Sequence, residues 1–226
     1  QRPFEQKGFQ SIQRKLTEGQ INFINNRTEK MLDEWVSIPA DATTSLSFFD
    51  PMSGKITLPS TKRISATQLA VRIALGAHES ILLRTSTLPI ASSKHAYPSA
   101  VVKTFPITGQ WKLEFIDGGP KLPKPTSLDS TVFWTSLADS SAKNFSGTAR
   151  YTSTFDLPDA KMNAWTLSLG DVSATVEVVL NGVSLGSHIG PVFKFAVPAG
   201  LLKKQNTIQI TVASLMANRI AYMDRN

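Results

Sequence analysis

The chain has 226 residues, no cysteine, and 24 Lys and Arg against 17 Asp and Glu, which gives a net charge of +7. Its length lies between that of one large domain and that of two small domains. The absence of cysteine excludes a disulfide framework, a thiolate zinc site and a thiol nucleophile. No apolar run is long enough to form a membrane-spanning helix.

The positive charge is spread along the chain. Dense clusters such as the pairs Lys62-Arg63 and Lys203-Lys204 stand beside predicted turns without interleaved aromatic residues. Nucleic-acid binding requires basic residues that are grouped on one face, where they displace the counterions of the phosphates. The pattern therefore predicts a solvated surface and no nucleic-acid partner.

Short runs in the first 88 residues alternate between apolar and polar side chains, which is the period of a half-buried strand. A Thr-Glu-Gly turn joins the first two runs as a hairpin. We predict a small β-sandwich domain over 1–88, followed by a linker rich in Ser, Pro and Ala over 89–100. The predicted strands of this domain are 9–16, 20–25, 32–38, 45–49, 55–58, 69–75 and 80–85.

The remaining residues, 101–226, are predicted to form a second all-β domain. Trp111, Leu113 and Phe115 alternate in one run, and five further alternating runs separated by turn residues follow within 147–215. Half-buried strands at such short spacing are typical of a sandwich or a barrel. The inward positions of the five runs are Ala149, Tyr151, Phe155; Trp165, Leu167, Leu169; Val176, Val178, Leu180; Phe193, Phe195, Val197; and Ile208, Ile210, Val212.

Helical periodicity is weak throughout the second domain. We expect at most a single helical turn at 199–204 and the start of a helix within 214–219. The polar stretches 120–129 and 139–144 are predicted to be surface connections, because prolines and turn-forming residues fill them.

Several of these stretches together resemble known proteins. Tyr151-Thr-Ser-Thr-Phe-Asp-Leu-Pro and Val179-Leu-Asn-Gly-Val-Ser-Leu-Gly-Ser-His are similar to the sugar-binding jelly roll of glycoside hydrolase family 2. Gly109-Gln-Trp-Lys-Leu-Glu-Phe and Leu215-Met-Ala-Asn-Arg-Ile-Ala-Tyr-Met-Asp-Arg resemble the C-terminal part of family 106 α-L-rhamnosidase-like proteins. The resemblance implies that 101–226 is a galactose-binding-like jelly roll. It also implies a bacterial protein that is periplasmic or secreted.

The resemblance assigns no catalytic residue to this chain. Glycoside hydrolysis uses two carboxylates across the scissile bond, and the families resembled carry theirs on a (β/α)8 barrel. The alternation of strand and helix that such a barrel requires is absent from this sequence. The acidic residues stand mainly in turns, such as Asp117-Gly-Gly, where their backbone hydrogen bonds are favoured. We therefore predict no catalytic residues here.

Four residues are candidates for carbohydrate contact. Trp134 would be exposed as a platform for a sugar ring if its neighbour Phe133 pointed inward. His188 lies just after the Asn-Gly hairpin, in a loop that can face the catalytic barrel in the family resembled. Asn218 and Arg219 match a family motif, and Arg219 could form a hydrogen bond to that barrel. No metal ligands have a recognisable spacing and no cofactor is predicted, although a structural calcium ion is common in such jelly rolls.

Three functions remain open from the sequence. The preferred function is a non-catalytic C-terminal accessory fragment of a glycoside hydrolase, which packs on the catalytic domain of the same polypeptide and contributes to carbohydrate contact. The alternative is a free-standing carbohydrate-binding or adhesion module. A complete small hydrolase is the third. The sequence begins without a signal core and ends without a cap, so we expect a mature chain or a piece cut from a longer protein.

Overall fold

The computed structural model describes residues 3–89, 93–97, 103–158, 162, 164–172, 174–190 and 192–225. It divides into two compact units, Gln1–Val102 and Lys103–Asn226. Strands dominate both units, and the part of the chain that is described holds two α-helices. The prediction of an all-β fold is confirmed.

The first unit is a sandwich of two antiparallel sheets. One sheet has five strands in the order β1-β2-β8-β4-β5, and the other has three strands in the order β3-β7-β6. Buried residues from both sheets, such as Ile24 and Val71, form one apolar core between them. The strands are β1 (Gln10–Leu16), β2 (Gly19–Asn25), β3 (Leu32–Pro39), β4 (Ser45–Phe49), β5 (Ile56–Thr57), β6 (Thr61–Ser65), β7 (Gln68–Leu75) and β8 (Ser80–Ser86), with a 3₁₀ turn at Glu5–Lys7.

The second unit contains a six-stranded antiparallel sheet and a much smaller sheet of two strands. The large sheet has the order β10-β9-β11-β16-β13-β14, and the small one pairs β12 with β15. Its strands are β9 (Trp111–Gly119), β10 (Thr126–Leu128), β11 (Ser146–Asp156), β12 (Trp165–Ser168), β13 (Thr175–Leu180), β14 (Val183–Ile189), β15 (Lys194–Val197) and β16 (Gln205–Ala213). Its helices are a 3₁₀ turn (Trp134–Ser136), α1 (Ser140–Lys143) and α2 (Ala217–Arg225).

The inward phase of the large sheet forms the core of the second unit. Val176 and Val178 of β13 and Ile208 of β16 are completely buried, and Phe195 of β15 packs against them from the small sheet. Because β12 and β15 have four residues each, they are too small to cover a sheet of six strands. Part of the inner face of the large sheet is therefore left to be lined by loops.

Two predicted connections contain regular structure. The stretch 120–129 includes β10, which pairs with the start of β9. The stretch 139–144 includes α1, whose first turn is capped by Asp139: the carboxylate accepts a hydrogen bond from the Ser141 amide at 2.8 Å. An Asp at this position satisfies an amide that has no partner within the helix. The predicted C-terminal helix begins at Ala217.

Strands β9 and β11 approach each other unusually closely where two glycines pair. Gly118 lies opposite Gly147. A Cβ atom on Gly147 would lie 2.1 Å from the Asp117 carbonyl oxygen and 2.6 Å from the Gly118 Cα. Only glycine fits at such a distance. These two positions therefore permit the close pairing of β9 with β11 at this point.

Candidate functional site

A cavity of about 760 Å³ opens on the inner face of the large sheet in the second unit. Strands β9, β11 and β16 form its floor, and the segments 104–107, 131–135 and 168–172 form its sides. The beginning of α2 lies at one edge. The cavity therefore occupies the part of the inner face that the two-stranded sheet is too short to cover. The floor residues are Trp111, Tyr151, Ile208, Ile210 and Val212.

The polar side chains at the cavity are largely committed to the protein itself. The Tyr151 hydroxyl donates a hydrogen bond to the Val132 carbonyl oxygen at 2.8 Å. Burial raises the pKa of Tyr151 to about 12, an effect that a hydrogen bond from the backbone of Trp134 partly offsets. The phenol therefore remains protonated at neutral pH. The lining of the cavity is mainly apolar in character, although threonine and serine residues also contribute to it.

Asn218 anchors the start of α2 to the preceding loop. Its side-chain amide donates hydrogen bonds to the carbonyl oxygens of Lys143, at 3.1 Å, and Phe145. Its Oδ1 atom accepts a hydrogen bond from the Ser146 hydroxyl at 2.8 Å. These partners belong to α1, to the turn that follows it and to the first residue of β11. Asn218 lines the cavity, but its polar atoms primarily hold the helix in place.

Exposed apolar side chains lie at the mouth of the cavity, and others lie on or next to α2. Phe133 is 49% exposed and Leu215 is 70% exposed, and both line the cavity. Met216, Ile220 and Met223 follow at spacings of four and three residues, which place them on one side of the helix. We call these five residues, together with Val132, the mouth face. It is an apolar surface that no described residue covers.

Trp134 is buried and does not form an exposed platform. Its side chain is 6% exposed, while that of its neighbour Phe133 points outward. The indole nitrogen donates a hydrogen bond to the Phe145 carbonyl oxygen at 3.3 Å. The ring also makes edge contacts with Phe115 and Phe145, at centroid distances of 6.1 and 6.2 Å. This is the orientation opposite to the one that a sugar platform requires, although one side of the ring lines the cavity.

His188 and Arg219 are not among the residues that line the cavity. The His188 ring stacks on Phe195 at a centroid distance of 4.2 Å, and its Nδ1 atom lies 3.2 Å from the Val192 carbonyl oxygen. A carbonyl can only accept a hydrogen bond, so this contact places the imidazole proton on Nδ1. The Arg219 guanidinium lies over the ring of Tyr222, 5.5 Å from its centroid. Of the four predicted residues, the structure brings Trp134 and Asn218 together at the cavity.

From the sequence alone, the floor of the cavity is predicted to be ordinary core. Trp111 and Tyr151 occupy the inward phase of their strands, and this signal does not distinguish a packed position from a cavity wall. The distinguishing feature is the shortness of β12 and β15, which alternation alone does not reveal.

The chemistry available at the cavity is limited. Asp171 supplies the one carboxylate among the described residues that line it, whereas glycoside hydrolysis requires two. Within the described ranges, no group of three or more His, Asp or Glu side chains could hold a metal ion. None of the described helices is both long enough and apolar enough to cross a membrane.

A family model and several known proteins that are similar to this chain come from glycoside hydrolases. The family model of the second all-beta domain of beta-galactosidases matches residues 117–218. A putative beta-glucuronidase from Formosa agariphila is 29% identical over 129 residues, which are 54% of this chain and 11% of that protein. This chain carries a β-domain associated with glycoside hydrolases.

Two solved structures were also found to be similar. A rhamnosidase from Novosphingobium sp. PP1Y has a TM-score of 0.72 and 23% identity, and the match covers 94% of this chain and 20% of that one. A beta-glucuronidase from Ruminococcus gnavus has a TM-score of 0.38 and 22% identity over 47% of this chain and 20% of its own. The chain thus spans about a tenth of the curated relative and a fifth of the rhamnosidase. None of these matches singles out family 106, so that assignment stays a prediction.

Proposed function

We propose that this chain is a non-catalytic accessory region of a larger, α-L-rhamnosidase-like glycoside hydrolase from a bacterium, exported to the periplasm or the medium. In this proposal the mouth face packs on the catalytic domain of the same polypeptide. The observation that carries the proposal is the set of exposed apolar side chains at the mouth of the cavity and on α2.

The mouth face has the properties of a surface that is normally covered. Large apolar side chains scattered singly over a surface are ordinary, but a contiguous group marks an interaction site. Burying one such side chain contributes about 1.5–3 kcal/mol, so covering Ile220, Met223 and Leu215 together would stabilise a domain contact appreciably. The 760 Å³ cavity beside them could also receive a side chain from the partner.

Similar proteins indicate what would cover the mouth face. The similar regions of the rhamnosidase and of the putative beta-glucuronidase are small parts of much longer chains. A further part of the same polypeptide is therefore the natural partner for the mouth face. Carbohydrate contact by Trp134, His188, Asn218 and Arg219 is a finer element of the proposal. In this part of the proposal, the four residues contact the carbohydrate from the edge of a cleft that this region shares with the catalytic domain.

The experiment compares the product of the whole reading frame with this chain alone. The whole product should hydrolyse an aryl α-L-rhamnoside, and this chain alone should not. The double substitution I220D/M223D in the whole product should lower its Tm and its kcat/KM, because two charges would be buried in the domain contact. The same substitution in the isolated chain should leave its Tm nearly unchanged, because both side chains are already exposed.

Two results would contradict the proposal. One is turnover of the glycoside by the isolated chain. The other is a reading frame that contains no further domain. A matched control is K112A, which removes an exposed lysine from β9 and should leave the whole product unaffected.

A free-standing carbohydrate-binding module is the second candidate function. The cavity favours it, because its volume and aromatic lining fall in the range of small-molecule sites. Glycan binding by the isolated chain that is lost on filling the cavity, for example with S168F, would support this candidate. Absence of such binding would favour the accessory role.

A further inference from the structure

The outer face of the five-stranded sheet in the first unit carries a row of apolar side chains. Ile24 of β2 and Leu83 of β8 are completely buried in the core. Their neighbours Phe23 and Leu82 therefore point to the opposite face, because side chains alternate along a strand. Phe23 and Leu82 lie opposite each other, and the pairing continues to both edges of the sheet. We call this row the outer stripe, and it takes one residue from each strand in sheet order: Ile12, Phe23, Leu82, Phe49 and Ile56.

The outer stripe is open to solvent. Ile12 at one end is 71% exposed and Ile56 at the other end is 38% exposed, and the three residues between them are partly exposed. None of the five belongs to the apolar core of this unit. Side chains that lie opposite each other on neighbouring strands are within contact distance, so the stripe is a contiguous band about 19 Å long at a strand spacing of about 4.8 Å. Contiguous apolar surface of this kind marks an interaction site.

Two polar atoms beside the outer stripe are buried without a hydrogen-bond partner. On one flank, Arg84 follows Leu82 by two residues on the same face, and its Nε atom is shielded from solvent and unbonded. On the other flank, Asn25 follows Phe23 by two residues, and its Oδ1 atom is in the same condition. A buried donor or acceptor without a partner costs free energy, and native proteins pair nearly all of them. These two atoms therefore indicate a partner that the described part of the chain does not supply.

The charge beside the outer stripe is positive. Arg14 of β1 lies on the same flank as Arg84, since both pair with the same residue of β2. Among the described residues, no carboxylate forms an ion pair with either arginine. The opposite flank, where Asn25 pairs with Gln10 and Ser80, is uncharged. A surface with carboxylates beside an apolar ridge therefore fits this face. A second copy of the chain does not supply them, because its own stripe has the same arginines and no acidic flank.

We propose that the outer stripe packs on a further domain of the same polypeptide, which presents an apolar ridge and a carboxylate to Arg84 and Arg14. The carboxylate accepts a hydrogen bond from Nε of Arg84, and an N–H group of the same domain donates to Oδ1 of Asn25. This choice of partner rests on the proposed function, in which the chain is a part of a longer protein; the similar region of the rhamnosidase is 20% of that chain. The contact goes beyond the mouth face, because it belongs to the other unit.

The test compares thermal unfolding of the whole product with that of this chain alone. Ile12→Glu places a charge within the outer stripe and should lower the Tm of the whole product by about 4 °C. In the isolated chain it should shift the Tm by no more than about 1 °C, because Ile12 is already exposed there. Ile64→Glu is the matched control and should change neither protein, because Ile64 is 53% exposed on β6, an edge strand of the other sheet.

Arg84→Met distinguishes a contact from a role within the first unit, because its expected effects differ in direction between the two proteins. In the isolated chain it removes a buried donor that has no partner, so the Tm should stay the same or rise. In the whole product it removes a donor that is bonded to a carboxylate and leaves that carboxylate unpaired, so the Tm should fall.

Three results would overturn the inference. The first is a whole product whose Tm responds to neither substitution, and the second is an equal loss of Tm in both proteins. The third is an isolated chain that sediments as a dimer and becomes monomeric with Ile12→Glu, since a second copy would then cover the stripe. The double substitution I220D/M223D keeps this inference separate from the proposed function. If it lowers the Tm of the whole product and Ile12→Glu does not, the inference fails and the contact of the mouth face stands; the reverse result supports the inference and removes the contact of the mouth face.

Discussion

Tyr151 shows how one buried polar group makes the fold sensitive to pH. Its hydroxyl lies at the floor of the cavity and bonds to the Val132 carbonyl oxygen. Burial raises its pKa from 10.0 to about 12. In the unfolded chain the phenol ionises near its ordinary pKa, whereas in the folded chain it stays protonated. The contribution of this group to stability is therefore full below pH 10 and is lost as the pH rises through 12.

The substitution Tyr151→Phe isolates this effect. At neutral pH it should destabilise the protein by about 1 kcal/mol, because the Val132 carbonyl oxygen loses its partner. Between pH 10 and 12 the unmodified chain should lose up to about 2 kcal/mol more than the variant, which has no phenol to ionise. Urea unfolding at several pH values measures both quantities. Parallel pH profiles for the two proteins would show that Tyr151 does not titrate in this way.

At the scale of the element, α2 is held mainly at its beginning. Asn218 connects it to α1 and to the start of β11, whereas the residues after it include Ile220 and Met223, which are exposed. The helix is nine residues long, and isolated helices of that length are marginal in water. The hydrogen bonds of Asn218 therefore contribute strongly to its order in the isolated chain.

Asn218→Ala should loosen α2 without unfolding the sheets. We expect a loss of about 1–2 kcal/mol, because the hydrogen bonds of the Asn218 side chain to the Ser146 hydroxyl and to the Lys143 and Phe145 carbonyl oxygens are lost. Amide exchange should accelerate across α2 and remain slow in β11 and β16. Arg219→Ala is the matched control, because its guanidinium contacts Tyr222 within the same helix. Equal exchange in both variants would show that Asn218 is not the anchor.

Alternation predicts those elements whose inward residues are apolar. Strand β13 follows directly from Val176, Val178 and Leu180, and its prediction agrees with the structure. Strand β6 was not predicted, since all five of its residues are exposed and give no apolar period. The cavity was missed for a related reason, because it depends on how far one sheet extends over another. Sequence periodicity reports which face is buried but not what covers that face.

At the scale of the whole molecule, the two units have separate apolar cores. The first core gathers residues such as Phe48 and Ile73, and the second gathers Phe145 and Ile208. Each unit has the size at which a single core can support an independent fold. The domain bounds of 1–88 and 101–226 remain a prediction, which a division of the chain can test directly.

A polypeptide that spans only 103–226 should fold on its own. Its amide spectrum should be dispersed, and its unfolding should be cooperative, because all strands of the large sheet and the whole second core lie within it. It should also reproduce the difference between the unmodified chain and Tyr151→Phe at alkaline pH, because both partners of that hydrogen bond are retained. A disordered fragment, or one that lacks this alkaline difference, would show that the second unit requires the first for its native packing.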